Sequence, residues 1–221
     1  MKRYLFLIGC CLLILCGCSA KTAPEWKTAS FYHLEEYKKL FLDGKDQLAA
    51  IHFQKATDEL KRSGNLSLLM TVYLTRSALQ VSVLETPDNR EYLETAKAAP
   101  DEDSHQYYLL LEGKFAQLKI NRLPAPYQGL AAALEKRDKG DVLEEINGIK
   151  DDLSRLIAIG LAVRHQVENE DILTNAVDLA SANGWRKPLL VYLDRLKSFY
   201  LKSHEPDKAE KIRLKIELLK S

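Results

Sequence analysis

The sequence predicts an all-α protein, and three observations support this fold class. From residue 29 onward, apolar residues recur almost throughout at the spacing of one helix face. Glycine and proline interrupt that spacing at intervals suited to helices of about 12 to 20 residues. No stretch alternates apolar and polar residues for long enough to indicate a β-strand.

This punctuation divides the chain into eleven predicted helices. Glycine is favoured just after a helix, where the backbone turns left-handed, and proline is tolerated at a helix start, where its missing N–H costs little. Four glycines mark predicted ends: Gly44, Gly64, Gly140 and Gly184. Four prolines mark predicted starts: Pro87, Pro100, Pro188 and Pro206. The predicted helices span residues 28–43, 46–62, 66–85, 88–98, 103–120, 126–137, 141–148, 150–167, 170–183, 187–203 and 206–220.

Composition limits the classes of function. The chain has 221 residues, of which 46% are hydrophobic, so it is long enough to fold as one domain, or two small ones, around an apolar core. Its 32 Lys and Arg residues nearly balance its 31 Asp and Glu residues. We therefore expect no nucleic-acid partner, since proteins that bind nucleic acid usually carry a strongly basic face.

The first eighteen residues are organised as a secretory signal. Lys2 and Arg3 form a basic start, residues 4–15 are almost uniformly apolar, and a small-residue site follows. This apolar run is too short to span a bilayer, which needs about 20 residues. Its end, Leu15-Cys16-Gly17-Cys18, resembles the lipobox of bacterial lipoproteins.

The lipobox resemblance implies how the chain is processed and where it resides. Leu15, Cys16 and Gly17 form the recognition site of the signal peptidase, and Cys18 receives a diacylglyceryl thioether and then an N-acyl chain. Residues 1–17 are then a cleaved signal peptide, and residues 18–27 are the lipidated cysteine with a short tether. Ser19 is not the aspartate associated with inner-membrane retention, so the resemblance implies the periplasmic face of the outer membrane or, in a source with a single membrane, the outer face of that membrane. An ordinary cleaved signal and an uncleaved anchor are the alternatives.

Residues 46–62 place small and large side chains on one helix face. Ala49, Phe53 and Ala56 follow one another at i, i+4 and i+7, so a neighbouring helix can approach at the alanines while Phe53 fills the space between them. Together with Gly44, these residues resemble the second half of a tetratricopeptide repeat over about residues 37–60. The resemblance implies an antiparallel helical hairpin packed by these four residues.

Two further hairpins are predicted, one within residues 153–179 and one within residues 192–219. Stacked hairpins of this kind form an α-solenoid with a concave binding surface. We therefore predict a tetratricopeptide-like α-solenoid over residues 28–221, with an irregular helical bundle as the alternative. Because Pro124 and Pro126 interrupt the helical pattern, we also predict an internal break near residues 121–127.

No residue pattern predicts catalysis. No two of the five histidines share a helix at i, i+3 or i+4, and the usual zinc, nucleophile and phosphate-loop motifs are absent. Asp101, Asp103 and His105 are close in sequence, but acidic residues at a helix start also cap its free N–H groups. The pairs at 35–36 and 144–145 are adjacent glutamates, which point about 100° apart on a helix. We expect no enzyme activity, no metal and no cofactor beyond the attached lipid.

Large aromatic residues are the candidate partner-binding residues: Tyr107, Tyr108, Tyr127 and Trp185. Aromatic residues dominate interface hot spots, although in helical proteins they also pack cores. With the lipobox and the repeat-like hairpins, they predict a membrane-anchored, non-catalytic scaffold that binds another cell-envelope protein. One alternative is a periplasmic receptor that holds a small molecule or peptide between helices. A further alternative is a glycan-acting enzyme with two carboxylates facing each other across a cleft.

Overall fold

The computed structural model describes residues 23–220, and within this range the chain forms eleven α-helices, three short 3₁₀ turns and no β-strand. The predicted all-α class is therefore confirmed. The first five helices are α1 (Glu25–Leu42), α2 (Asp46–Ser63), α3 (Leu66–Ser82), α4 (Arg90–Ala98) and α5 (Glu102–Leu111). The 3₁₀ turns are Phe115–Gln117, Ile120–Arg122 and Ala125–Tyr127. The remaining helices are α6 (Gln128–Lys136), α7 (Lys139–Gly148), α8 (Asp152–Arg164), α9 (Glu170–Ala182), α10 (Arg186–Lys202) and α11 (Pro206–Lys220).

Two predictions concern the N-terminal part of the chain, the lipobox and the tether. The predicted lipobox and sorting residues lie outside the described residues: Leu15, Cys16, Gly17, Cys18 and Ser19. The predicted tether of residues 18–27 is too long, because α1 already begins at Glu25. Trp26 consequently belongs to the first turn of α1, where it packs against the hydrophobic core.

The helix predicted over residues 103–120 ends earlier in the structure. α5 ends at Leu111, and the backbone of Gly113 is left-handed with φ +71°. This conformation terminates a helix and is easiest for glycine. The residues after Gly113 form the three 3₁₀ turns, which together we name the 3₁₀ segment (residues 115–127).

Three of the four glycines predicted to end helices do so. Gly44, Gly64 and Gly184 have φ values of +78°, +69° and +68°. The prediction for Gly140 is wrong, because Arg137 adopts the left-handed conformation with φ +58° and Gly140 lies in the first turn of α7.

α1 and α2 pack against each other as an antiparallel hairpin. Ala49 and Ala56 are 1% and 0% exposed, so the helices approach closely at both alanines. Phe53 lies between Tyr37 of α1 and Tyr73 of α3, with ring centroids 5.1 and 6.1 Å away. This is the packing that the alternation of small and large residues predicts.

α3 and α8 cross where Gly160 removes a side chain from the interface. A Cβ atom at Gly160 would lie 2.3 Å from the carbonyl oxygen of Val81 and 3.0 Å from the Cα atom of Ser82. Both helices are buried on most of their surface. The close backbone contact therefore depends on glycine at this position.

α10 connects the C-terminal helices to the N-terminal half of the chain. Tyr192 is fully buried, and its hydroxyl donates a hydrogen bond of 3.0 Å to the carbonyl oxygen of Ser82. Lys187 Nζ lies 2.9 Å from a carboxylate oxygen of Asp46 and 2.9 Å from one of Glu85. These contacts join the start of α10 to the α1–α2 turn and to the end of α3.

Helix contacts include both sequential hairpins and long-range pairs. The pairs α1–α2, α9–α10 and α10–α11 pack in chain order, whereas α3–α8 and α1–α10 join distant parts of the chain. Leu123 and Tyr127, which lie within the predicted break and flank its two prolines, are buried in the same core cluster as the helices before and after them. The choice between a solenoid and an irregular bundle stays a prediction. Within residues 23–220, no helix is both long and apolar enough to cross a bilayer.

Candidate functional site

An open cleft of about 710 Å³ lies between α3, α5 and the 3₁₀ segment. We name it the Tyr107 cleft, because Tyr107 is the predicted partner-binding residue that lines it. α3, α5 and the 3₁₀ segment each contribute to its walls. The lining residues are Thr71, Leu74, Thr75, Asp103, Ser104, Tyr107, Asn121, Arg122, Leu123 and Pro124.

The 3₁₀ segment is held in place by two glutamine side chains. Gln106 is 2% exposed, and its Oε1 accepts a hydrogen bond of 2.7 Å from the backbone N–H of Lys119. Its amide nitrogen donates to Glu102 at 3.0 Å. On the other side, Gln128 donates to the carbonyl oxygen of Leu123 at 2.9 Å. Because a buried amide without partners would be costly, these bonds fix the outer wall of the cleft.

Two polar side chains of the 3₁₀ segment remain available for a ligand. Asn121 is exposed, and its amide has no hydrogen-bond partner among residues 23–220. Arg122 Nη1 lies 3.3 Å from Asp103 Oδ1, and both side chains are more than half exposed. Water screens such a pair, so it contributes little to stability. A guanidinium binds a carboxylate through two parallel hydrogen bonds, and an amide both donates to and accepts from a peptide group.

The α3 side of the cleft presents acceptors. The hydroxyl of Thr71 donates to the carbonyl oxygen of Ser67 at 3.1 Å, and the hydroxyl of Thr75 donates to the carbonyl oxygen of Thr71 at 2.8 Å. Because each hydroxyl uses its proton inside the helix, it offers only lone pairs to a ligand. The α3 side therefore favours a ligand with N–H donors.

Among the four aromatic residues predicted to bind a partner, Tyr107 alone lines this cleft. Its ring lies 5.8 Å from that of Tyr127, and burial raises the pKa of the Tyr107 hydroxyl well above its usual value. Tyr108 and Tyr127 are 9% and 4% exposed, and Tyr108 stacks on Tyr92 with ring centroids 5.3 Å apart. These two are core residues and not, as predicted, anchors on an open surface. Trp185 is half-buried against the core at the start of α10.

The acidic residues near the start of α5 have structural partners. Asp101 accepts a hydrogen bond of 2.8 Å from the backbone N–H of Ser104. Hydrogen bonding by the Ser104 side chain, followed by this backbone bond, lowers the pKa of the Asp101 carboxyl. Asp103 pairs with Arg122 across the cleft. Three glutamates of the adjacent pairs are exposed: Glu35, Glu144 and Glu145.

Sequence reasoning missed Asn121 and Arg122. Both residues come just after the helix predicted over residues 103–120, in the predicted break, where nothing distinguishes them from an ordinary solvent-exposed connection. The signal that identifies the 3₁₀ segment is Gly113, whose left-handed backbone ends α5 early.

Acidification is expected to weaken the packing beneath the 3₁₀ segment. The ring of His165 meets that of Phe115 edge-on, with centroids 4.8 Å apart, and its buried Nε2 has no hydrogen-bond partner in the described structure. Burial, followed by the positive charges of Arg164 and Arg137, lowers the pKa of His165. A histidine with a lowered pKa in the folded state contributes stability above its unfolded pKa of about 6.5, and this contribution is lost as the pH falls below that value.

We therefore expect the free energy of unfolding to fall between pH 7.5 and pH 5, and to fall less steeply in His165→Phe. Urea denaturation at several pH values measures this dependence. Parallel curves for the two proteins would show that His165 is not responsible.

No protein-family model matches this chain, and neither a curated protein nor a solved structure is significantly similar to it.

Proposed function

We propose that this chain is a lipid-anchored, non-catalytic scaffold of the bacterial cell envelope, and that it binds a segment of another envelope protein in the Tyr107 cleft. The proposal rests on the amide of Asn121, which has no hydrogen-bond partner among residues 23–220, and on the exposed ion pair of Arg122 beside it in an open cleft. Receptors for small ligands usually bury most of the ligand surface, whereas an open cleft leaves both ends free for a longer chain.

The polar groups of the cleft suit an extended polypeptide segment. Thr71 and Thr75 supply acceptors for backbone N–H groups, and Asn121 supplies both a donor and an acceptor for a peptide group. Arg122 supplies a cation for an acidic side chain of the partner. We therefore propose a partner segment with an Asp or Glu residue near Arg122.

The proposed anchor on Cys18 keeps the helical domain close to a membrane. α1 begins at Glu25, and seven residue steps of at most about 3.6 Å limit the distance from Cys18 to Glu25 to about 25 Å. Two or three acyl chains hold a protein stably, where one chain gives only marginal binding. The partner is then an envelope protein accessible at the periplasmic face of the outer membrane.

In-cell photocrosslinking tests this proposal. A photoreactive amino acid at Asn121 should capture a defined envelope protein, identified by mass spectrometry. The same amino acid at Lys215, an exposed position on α11, is the matched control and should not capture that protein. Capture should also be lost in Cys18→Ala, which removes the proposed anchor. Equal capture from both positions, or no capture, would favour the receptor alternative.

The same cleft predicts the effect of single substitutions on affinity. Arg122→Ala and Asn121→Ala should each weaken binding of the captured partner about tenfold, which corresponds to about 1.4 kcal/mol. Their free energies of unfolding should stay within about 0.5 kcal/mol of wild type, since both side chains are exposed. Titration of purified partner against each variant measures the affinity, and Lys215→Ala serves as the control. Unchanged affinity in both cleft variants would contradict the proposed site.

A further inference from the structure

Two histidines of neighbouring helices meet on the α1–α2 hairpin. The Nδ1 atoms of His33 and His52 are 3.2 Å apart, and their rings are inclined by 66° with centroids 5.1 Å apart. Both side chains are half-buried, so the pair is accessible from solvent. The exposed ring of Tyr32 lies 5.2 Å from that of His33 and 6.4 Å from that of His52.

The separation of the two Nδ1 atoms matches that of two nitrogens bound to one metal ion. Zinc–nitrogen bonds are about 2.0–2.1 Å long, so two such bonds at the tetrahedral angle place their nitrogens about 3.3 Å apart. The hairpin itself maintains this spacing, because α1 and α2 are closely packed at Ala49 and Ala56. The distance between the two nitrogens therefore needs to change little when they bind one ion.

The charged groups around the pair act in opposite directions. Burial, followed by the charges of His52 and Lys55, lowers the pKa of His33. Neutral imidazole is the form that binds metals. Lys55 would repel a cation, whereas the carboxylate of Glu59 on the same helix opposes that effect.

We propose that His33 and His52 chelate a late first-row transition ion, Zn²⁺, Ni²⁺ or Cu²⁺, through their Nδ1 atoms. Imidazole suits these ions, whereas Mg²⁺ and Ca²⁺ prefer oxygen ligands. Among residues 23–220 there is no cluster of three or more His, Cys, Asp or Glu residues that could hold a metal. The site therefore has two protein ligands, and water completes the coordination. This site is independent of the proposed Tyr107 cleft.

Isothermal titration with ZnCl₂ of the full chain in detergent, its cysteine thiols alkylated beforehand because thiolates also bind Zn²⁺, tests the proposal. We expect one saturable equivalent of Zn²⁺, no binding of Mg²⁺, and at least tenfold weaker Zn²⁺ binding in His33→Asn and in His52→Asn. Even the loss of a hydrogen-bond partner of a ligand typically weakens metal binding 10- to 100-fold. His204→Asn is the matched control. His204 is an exposed histidine in the turn between α10 and α11, and asparagine tolerates its left-handed backbone conformation.

A second measurement uses the wild-type chain, so it does not depend on the folding of any variant. Addition of ZnCl₂ should shift the imidazole NMR signals of His33 and His52 and leave that of His204 in place. Zn²⁺ binding that is equally strong in wild type and His52→Asn would overturn the proposal. So would the absence of saturable binding, since the 3.2 Å contact is then a direct hydrogen bond between the two rings.

Discussion

Gly160→Ala is expected to lower the free energy of unfolding by about 3 kcal/mol, near the upper end of the range for overpacked cores. The new Cβ atom would lie 2.3 Å from the carbonyl oxygen and 2.9 Å from the carbonyl carbon of Val81. These are backbone atoms, so no side-chain rotation relieves the overlap, and α3 and α8 must separate. The separation also strains the hydrogen bond from Tyr192 to Ser82. The midpoint of urea denaturation measures the loss.

Gly148→Ala is the matched control for this substitution. Gly148 is the last residue of α7, and a Cβ atom there would meet no atom within 4 Å. Since alanine has the higher helix propensity by about 1 kcal/mol, we expect Gly148→Ala to leave stability unchanged or raise it by up to about that amount. Similar losses for the two variants would mean that the α3–α8 contact is not as close as described.

Gly113→Ala is expected to destabilise the protein by about 2–5 kcal/mol, because two unfavourable effects combine. The left-handed backbone, with φ +71°, disfavours alanine by about 1–2 kcal/mol. In addition, the new Cβ atom would lie 1.8 Å from Cε1 and 2.1 Å from Nε2 of His165, an overlap that costs about 1–3 kcal/mol when the site is packed. The displaced ring also contacts Phe115, so the 3₁₀ segment and the Tyr107 cleft should loosen.

Gly64→Ala separates these two effects. Gly64 has nearly the same backbone conformation, with φ +69°, but a Cβ atom there meets nothing within 4 Å. Gly64→Ala should therefore lower the free energy of unfolding only by the cost of the left-handed backbone conformation. In a His165→Ala background, Gly113→Ala should cost no more than Gly64→Ala, and urea denaturation of the double-mutant cycle measures this coupling. If His165→Ala leaves the cost of Gly113→Ala unchanged, the steric explanation is wrong.

Local signals in the sequence account for most of the helices. Gly44, Gly64 and Gly184 end helices as predicted, because a left-handed residue after a helix is favoured by glycine itself and needs no distant contact. At the end of α6, Arg137 adopts the same conformation without being glycine, so local preference wrongly assigned the left-handed position to Gly140, although the predicted helix end at residue 137 is within one residue of Lys136. A left-handed backbone costs a residue with a Cβ atom only about 1–2 kcal/mol, so glycine is preferred there but is not required.

The candidate site was less accessible to sequence reasoning. Tyr107 was identified as an aromatic residue, but Tyr108 has the same chemistry and is buried against Tyr92. The difference between these neighbours depends on which side of α5 meets the core. Asn121 and Arg122 gain their exposure from the early end of α5 and from the position of the 3₁₀ segment.

The all-α class, the number of helices within residues 23–220 and the α1–α2 hairpin follow from residue order, because helical periodicity and turn residues act over a few positions along the chain. The lipobox and its anchor rest on residue order too, and they stay a prediction. The Gly160 crossing, the Tyr107 cleft and the His33–His52 pair could be found only in the folded molecule. Each depends on the distance between residues on separate helices, and that distance is set by how whole helices pack, which residue spacing does not encode.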